Sequence, residues 1–300
     1  MWGLWILSAA SLALPLPGRL LVEAPPFGSA IVEQDGRIVR LGAWYDTAWS
    51  PDGSLVAGIR GRWLAVLDDR GALRWTRRPR AAAAQPDWSP DGRRLAYRAG
   101  RALHVVGADG RHDRVVARGL RFAGPRWGPQ GQLAWADARG AVHLAGGRRS
   151  APGPPVRPGG LQWSGDGTRL AAVSGTVVRV LDPATGALVR RIPSPPRDHF
   201  QLGAYVGGRL VLYRHDFTRG TTHVTAGGGT LFAGRGIVAD LTPSPDGRSV
   251  LLGRRGRDTW DFRPLAGGAR RAVRHVTRRL NPRATGLWAF PTVRGWRPAE

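Results

Sequence analysis

A five-residue phrase, Trp-Ser-Pro-Asp-Gly, recurs along this chain at intervals of about forty residues. Complete copies begin at Trp49 and Trp88, and diverged copies begin at Trp127, Trp163 and Pro243. Short runs of alternating apolar and polar residues, separated by turn residues, fill each interval. A repeat of this length made of strands predicts an all-β fold, a β-propeller in which each four-stranded antiparallel unit becomes one blade.

The copy that begins at Trp88 shows how one blade is encoded. In its turn, Pro90 presets φ, Asp91 suits the next position and Gly92 accepts a positive φ. Three more strand patterns follow at 93–98, 101–106 and 114–118. The aspartates of these turns are therefore interpreted as turn residues. The structural anchors, expected to pack between neighbouring blades, are Trp49, Trp88, Trp127 and Trp163.

The spacing of the copies predicts seven blades. The double-length gap between 163 and 243 indicates a hidden copy near Gly203, and another is expected at Leu280, with a second strand over 286–290. Six blades are the alternative, because these two copies are weak. The last copy runs out of chain after two strands. Strand patterns at 30–34 and 37–41 are expected to complete it, so that both termini share one blade and no open sheet edge remains.

The sequence resembles the TolB-like, or WD40-like Pro-Asp, propeller repeat, whose core reads Trp-Ser-Pro-Asp-Gly-x-x-Leu-Ala. The resemblance covers residues 29 to 296. The usual start of the eukaryotic WD repeat is missing, and the only Trp-Asp pair is Trp260-Asp261. The resemblance implies a protein-interaction scaffold in a bacterial cell envelope.

Before the repeats lies an uncharged, largely apolar stretch over residues 1–17. We predict a signal-like or membrane-anchor segment at 1–22, a linker at 23–28 and the propeller over 29–300. The chain is then expected to be exported or tethered to a membrane, with a cytoplasmic protein as the alternative. No cysteine is present, which excludes disulfides and thiolate chemistry.

The formal net charge of +24 invites a nucleic-acid interpretation. All 45 basic residues are arginine, however, which is typical of codon bias in a GC-rich genome. Many of them fall on predicted fourth strands, where charge protects the blade edge. We therefore expect no specific nucleic acid partner, and at most weak association with anionic surfaces through an outer belt of arginines.

Two longer loops flank the blade near 203 and carry the candidate ligand-binding residues Asp198, His199, His215, Asp216 and Arg219. Two histidines and two aspartates can hold a metal or form a base with its orienting carboxylate. Their spacing is not diagnostic, so neither a catalytic residue nor a metal site is assigned. Tyr45 and Asp46 are further candidates, at the mouth of the channel.

The predicted function is that of a monomeric, non-enzymatic scaffold that binds a protein or an envelope component and requires no cofactor. Two alternatives stay open. One is a lyase or hydrolase using the His199 and His215 face. The other is a small-molecule or glycan sensor at the channel mouth, built on Trp44, Tyr45 and Asp46.

Overall fold

Seven antiparallel sheets follow one another round a ring in the computed structural model, which describes residues 16–282 and 289–298. Six of these sheets contain four strands and one contains three. The first strand of every repeat lines the central channel, and the later strands lie progressively further out. The predicted seven-bladed β-propeller is confirmed.

We number the blades I to VI along the chain and call the seventh, which joins the two ends, the closing blade. The closing blade consists of β1 (Arg19–Glu23), β2 (Ser29–Val32), β3 (Ile38–Gly42) and the last strand of the chain, β27 (Thr292–Arg297). Blade I consists of β4 (Tyr45–Trp49), β5 (Leu55–Arg60), β6 (Trp63–Asp68) and β7 (Leu73–Arg77). Blade II consists of β8 (Ala83–Trp88), β9 (Arg94–Ala99), β10 (Ala102–Gly107) and β11 (Arg114–Arg118).

Blade III consists of β12 (Arg126–Trp127), β13 (Leu133–Ala136) and β14 (Val142–Leu144), and a single bridge between His143 and Arg149 marks its outer edge. Blade IV consists of β15 (Leu161–Trp163), β16 (Leu170–Val173), β17 (Val177–Leu181) and β18 (Leu188–Pro193). Blade V consists of β19 (Asp198–Val206), β20 (Arg209–Asp216), β21 (Thr221–Ala226) and β22 (Gly229–Arg235). Blade VI consists of β23 (Val238–Pro243), β24 (Ser249–Arg254), β25 (Thr259–Pro264) and β26 (Arg271–Arg274).

Two short helices follow strands of blade VI: a 3-10 turn at Arg255–Arg257 and α1 at Val276–Leu280. Among the described residues, no helix is long and apolar enough to span a membrane.

The Ser-Pro-Asp-Gly turns are closed by a repeated set of hydrogen bonds. In blade II, the Ser89 hydroxyl donates to the Asp91 carboxylate and accepts from the Arg94 N–H at 2.9 Å, while the Gly92 N–H donates to the Ser89 carbonyl at 2.9 Å. Gly92 has φ 69°, a conformation that glycine adopts without strain. The serine bond lowers the pKa of the turn aspartate, to about 2 in the case of Asp166. These aspartates are turn residues, as predicted.

Tryptophan indole N–H groups donate hydrogen bonds to main-chain carbonyls of the preceding blade. Trp88 donates from Nε1 to the Ala48 carbonyl of blade I at 3.1 Å, and its ring is only 6 % exposed. Trp163 donates in the same way to the Arg126 carbonyl of blade III, also at 3.1 Å. Both side chains therefore lie between neighbouring blades.

The ring is closed by both ends of the chain, as predicted, but the division of strands differs. The N-terminal segment supplies three strands and the C-terminal segment one, rather than two each. The strand that sequence reasoning missed is β1, whose side chains are almost all buried. In the closing blade, β1 is the second strand from the channel and is covered on both faces. Its sequence is therefore a continuous apolar run, which could not be distinguished from the apolar stretch before it.

The domain boundaries predicted at residues 22 and 28 fall inside the closing blade. Residues 19–23 are a propeller strand, and residues 24–28 form the loop between β1 and β2. The propeller begins before residue 29, with Leu16 already in its core. The signal-like assignment concerns mainly residues 1–15, which lie outside the described residues.

At two of the predicted repeat anchors, a different residue takes the anchor position in the structure. Leu280 ends helix α1, and the anchor of the closing blade is Trp296, which pairs with Leu20. The strand predicted over 286–290 lies mostly outside the described residues. In blade V, Tyr205 rather than Gly203 takes the anchor position, because it pairs with Leu210 as Trp163 pairs with Leu170.

Candidate functional site

The candidate residues of blade V meet at one end of a strand pair. Asp198 is the cross-strand neighbour of Asp216, and His199 is the neighbour of His215. Neighbours in register share a face of the sheet, whereas successive residues alternate. The two aspartates therefore lie on one face and the two histidines on the other. The four residues are close in space, but their side chains do not point into a common site.

The two aspartates of this group are held by nearby donors. The Asp198 carboxylate pairs with the Arg214 guanidinium. Asp216 accepts hydrogen bonds from the N–H groups of Thr218 at 2.8 Å and Arg219 at 3.0 Å. The bond from the Arg219 N–H is the main cause of a lowered pKa for Asp216. These bonds stabilise the loop between β20 and β21.

His215 is also part of a local bond chain. The Thr222 hydroxyl donates to the Gly236 carbonyl, so it accepts from Nδ1 of His215 at 2.9 Å. Burial lowers the pKa of His215, which favours the neutral ring at pH 7. His199 is exposed, and Phe217 lies beside both rings. Among residues 16–282 and 289–298, no group of three or more His, Asp or Glu is placed to hold a metal ion.

Tyr45 and Asp46 lie apart from this cluster, on the first strand of blade I. The Tyr45 hydroxyl donates to the Pro26 carbonyl at 2.6 Å, which ties β4 to the loop of the closing blade. Asp46 lines the central channel and pairs with Arg294 at 2.7 Å.

The central channel is a cavity of about 1060 Å³ bounded by the first strands of all seven blades. Its charged lining includes Asp46, Asp87, Asp240, Arg126 and Arg294. Arg126 pairs with Asp87 at 2.7 Å. Arg294 lies between Asp46 and Glu23, whose carboxylate is 3.3 Å away. Asp46 and Asp87 are thus each paired with an arginine of the channel.

Four carboxylates in or beside the channel bond to the main chain of the following blade. Asp87 of blade II accepts from the Trp127 N–H of blade III at 2.6 Å, and Glu23 of the closing blade accepts from the Thr47 N–H of blade I at 2.6 Å. Asp46 accepts from the Gln85 N–H, and Asp240 from the Val293 N–H. Together they join blade VI, the closing blade and blades I, II and III in an unbroken series.

Sequence reasoning missed this role, although the chain carried a signal for it. Asp46 stands three residues before Trp49, and Asp240 stands three residues before Pro243. A carboxylate recurring at the same place in the innermost strand differs from the turn aspartates, because it lies next to the channel rather than in a turn.

Asp240 is the most deeply buried of these carboxylates. Burial raises its pKa to about 7, against the opposing effect of the Val293 N–H and the Arg294 guanidinium. A Cβ at position 253 would lie 1.6 Å from its Oδ1, so Gly253 leaves the room that this carboxylate occupies. Burial also raises the pKa of Asp87.

The folded state should therefore hold a proton on Asp240 at a pH where the unfolded chain has lost it. A pKa raised on folding means that stability is fully present below the unfolded value, near 4, and falls as the pH rises towards 7. Between pH 5.5 and 7, Asp240 should reduce the free energy of unfolding by about 2 kcal/mol.

Asp240→Asn removes this titration, so the variant should lose about 2 kcal/mol less than the parent over the same interval. Urea unfolding of both proteins at pH 5.5 and 7 measures the difference. The comparison of slopes is independent of any constant stability change caused by asparagine. Identical slopes would show that Asp240 is ionised throughout this range in the folded protein.

Among the described residues, the large exposed apolar side chains fall into two sets. Leu73, Val115, Val116, Leu188 and Val189 lie on the fourth strands at the blade edges. The other set lies at or next to the loops that join second to third strands and one blade to the next. Its members are Phe27, Trp63, Phe122, Phe217 and Ile237. Because strand direction alternates in an antiparallel blade, all those loops emerge on one side of the ring, which we call the loop face.

Neither a family model nor a curated protein matches the sequence. Solved structures do. Hsv2 of Kluyveromyces lactis is 14% identical, with a TM-score of 0.62 over 82% of this chain and 89% of that one. The β-propeller domain of Myceliophteria thermophila Cps50 (Swd1) is 13% identical, with a TM-score of 0.58 over 75% of this chain and 84% of that one.

Hydrazine synthase of Kuenenia stuttgartiensis is 19% identical, with a TM-score of 0.59 over 72% of this chain and 75% of that one. Propellers of the WD40 type and a chain from an enzyme thus share this architecture. Identities this low carry the fold alone, because propellers serve many unrelated functions. The chain is a seven-bladed β-propeller.

Proposed function

We propose that this protein is a non-enzymatic scaffold of the TolB-like type that binds a protein component of a bacterial cell envelope through its loop face. The observation that carries the proposal is the set of five large apolar side chains exposed on that face. They come from loops of different blades, with Phe217 62 % and Phe27 46 % exposed. Exposed apolar groups gathered on one side of a rigid ring are typical of protein docking surfaces.

The rigid framework behind these side chains favours the same function. The between-blade bonds from Asp87, Asp240 and Glu23 hold the inner strands in place. A face held in this way loses little conformational freedom on binding, which raises the affinity for a partner. Export or membrane tethering remains part of the proposal and rests on the apolar stretch at residues 1–17.

Site-specific photo-crosslinking in a native cell envelope fraction tests the docking face. A photoreactive amino acid at Trp63 or Phe217 should yield the same discrete crosslinked protein. The matched control is the same amino acid at Leu188, which is 55 % exposed but lies on a fourth strand. Crosslinking from Leu188 alone, or from none of the three positions, would contradict docking at the loop face.

A further inference from the structure

The arginines are distributed unequally between the two sides of the ring. Loops between second and third strands and between blades carry thirteen arginines and two aspartates among the described residues. The arginines are Arg62, Arg78, Arg80, Arg101, Arg121, Arg139, Arg157, Arg197, Arg219, Arg255, Arg257, Arg278 and Arg279, and the aspartates are Asp137 and Asp258. The loop face therefore holds a large excess of positive charge.

The opposite side, which we call the hairpin face, carries the turns between first and second strands and between third and fourth strands. Its described turns contain eight arginines and ten acidic residues. The arginines are Arg37, Arg70, Arg93, Arg111, Arg148, Arg169, Arg248 and Arg270. The acidic residues are Glu33, Asp35, Asp52, Asp69, Asp91, Asp109, Asp113, Asp166, Asp182 and Asp246. The turns of the hairpin face therefore carry no excess of positive charge.

Four carboxylates at the strand ends near the loop face are paired with arginines, and of these partners only Arg219 belongs to the thirteen loop-face arginines. Asp198 is paired with Arg214, and Asp216 lies 3.9 Å from Arg219. Glu23 and Asp46 share Arg294 inside the channel. Each of these acids is engaged by a guanidinium of the protein itself.

Two arginines of the outer belt expected from the sequence form ion pairs within the propeller. Arg74 pairs with Asp68 at 3.2 Å, and Arg77 pairs with Asp113 at 3.5 Å while donating to the Gly110 carbonyl at 2.6 Å. These fourth-strand arginines make bonds within the propeller. Arg78, by contrast, lies beyond the strand and on the loop face, with its guanidinium 5.7 Å from the centre of the Trp63 ring.

We infer that the loop face binds an acidic protein surface, with arginines and exposed aromatic rings acting together. This inference rests on the proposed function and names the chemistry of the partner. Arginine beside aromatic groups is the composition of protein interface cores. Arg78 beside Trp63 and Arg121, 4.6 Å from the centre of the Phe122 ring, show this arrangement directly.

Other polyanions fit the geometry less well. A single nucleic acid strand binds along a groove. The exposed apolar side chains of the loop face are instead spread round the ring, from Phe27 to Ile237. For a membrane, the position of Leu16 matters. Its N–H donates to the Gln34 carbonyl at 2.9 Å, in a turn of the hairpin face. An apolar segment before Leu16 that anchored the protein would hold the loop face away from that membrane.

Two charge variants on the same two blades test the inference. Arg78, Arg101 and Arg121 lie in neighbouring loops of the loop face, and all three are exposed. Replacing each by Gln should weaken binding to poly-L-glutamate about tenfold at 50 mM salt, about 0.5 kcal/mol for each lost charge pair. In the matched control, Arg70, Arg93 and Arg111 of the hairpin face are replaced by Gln. That variant should change the affinity less than twofold.

Parallel titrations use vesicles with 30% anionic lipid and single-stranded oligothymidylate, and a triple Arg→Lys variant on the loop face should retain poly-L-glutamate binding. Equal losses in the two Gln variants would overturn the inference. So would vesicles or oligothymidylate binding more tightly than poly-L-glutamate and responding to the loop-face variant alone. Crosslinking from Trp63 without such charge dependence would leave the docking proposal standing and remove only the acidic partner.

Discussion

Deleting residues 1–42 is expected to abolish cooperative unfolding of the propeller. The deletion removes β1, β2 and β3, which are three of the four strands of the closing blade, and leaves β27 without its sheet partner. It also strips the apolar side chains of Leu20 and Val22 from Trp260 and Phe262 of blade VI. A lone strand cannot cover that surface, since even a two-stranded hairpin is only marginally stable in water.

Circular dichroism melting and solubility measure this effect, and deletion of residues 1–15 is the matched control. The shorter deletion keeps Leu16 and all of β1, so it should leave the melting transition within a few degrees of that of the full chain. A sharp transition at the parent temperature after deletion of residues 1–42 would show that the ring closes without these strands.

A point variant distinguishes a closing blade with three N-terminal strands from the one with two N-terminal strands that the sequence predicted. Leu20 is fully buried in β1, so Leu20→Ala should cost about 2–5 kcal/mol. A signal-like segment ending at residue 22 would predict no cost at all. The free energy of unfolding in urea therefore distinguishes the two divisions of the closing blade.

Local chemistry explains which parts of the fold were predictable. The turn that Pro90, Asp91 and Gly92 form depends on neighbours within a few residues, and its four close copies were predicted correctly. Blade number followed from counting those turns. The hidden blade near 203 was found because Leu210 and its neighbours match the strand at Leu170, although Tyr205 replaces tryptophan as its anchor.

What was missed depends on contacts that sequence periodicity does not report. Strand β1 is buried on both faces and carries no alternation. The roles of Asp87 and Asp240 come from main-chain partners 40 and 53 residues away. The charge asymmetry was within reach, because alternate turns of an antiparallel blade emerge on opposite faces. Sorting the arginines by turn order would have revealed it.

Sequence reasoning identified the two loops that carry His199 and His215 as flanking one blade, and the two residues are cross-strand neighbours in the structure. It did not foresee that their aspartate neighbours lie on the other face of the strand pair. That outcome depends on the register of β19 against β20, which the loop positions alone did not specify.

The second large effect is expected for Trp88→Ala. The indole lies in a core cluster formed with Ile59 and Leu64 of blade I and Leu95 and Tyr97 of blade II. Its removal leaves a cavity between two blades and loses the bond to the Ala48 carbonyl. The expected loss is about 3–5 kcal/mol in the free energy of unfolding.

Asp91→Ala is the control for Trp88→Ala, because it alters the same turn without touching the core. Asp91 accepts bonds from the Ser89 hydroxyl and from the Arg93 N–H at 3.1 Å, and the residue is exposed. Losing these local bonds should cost about 1 kcal/mol, while the buried Ser89 hydroxyl keeps its bond from the Arg94 N–H. Urea unfolding of both variants gives the ratio of the two losses in free energy of unfolding.

Equal losses for Asp91→Ala and Trp88→Ala would show that the turn stabilises the repeat as much as the indole between the blades does. Loss of crosslinking from Trp63 in Asp91→Ala, with stability unchanged, would instead assign this turn to a binding function.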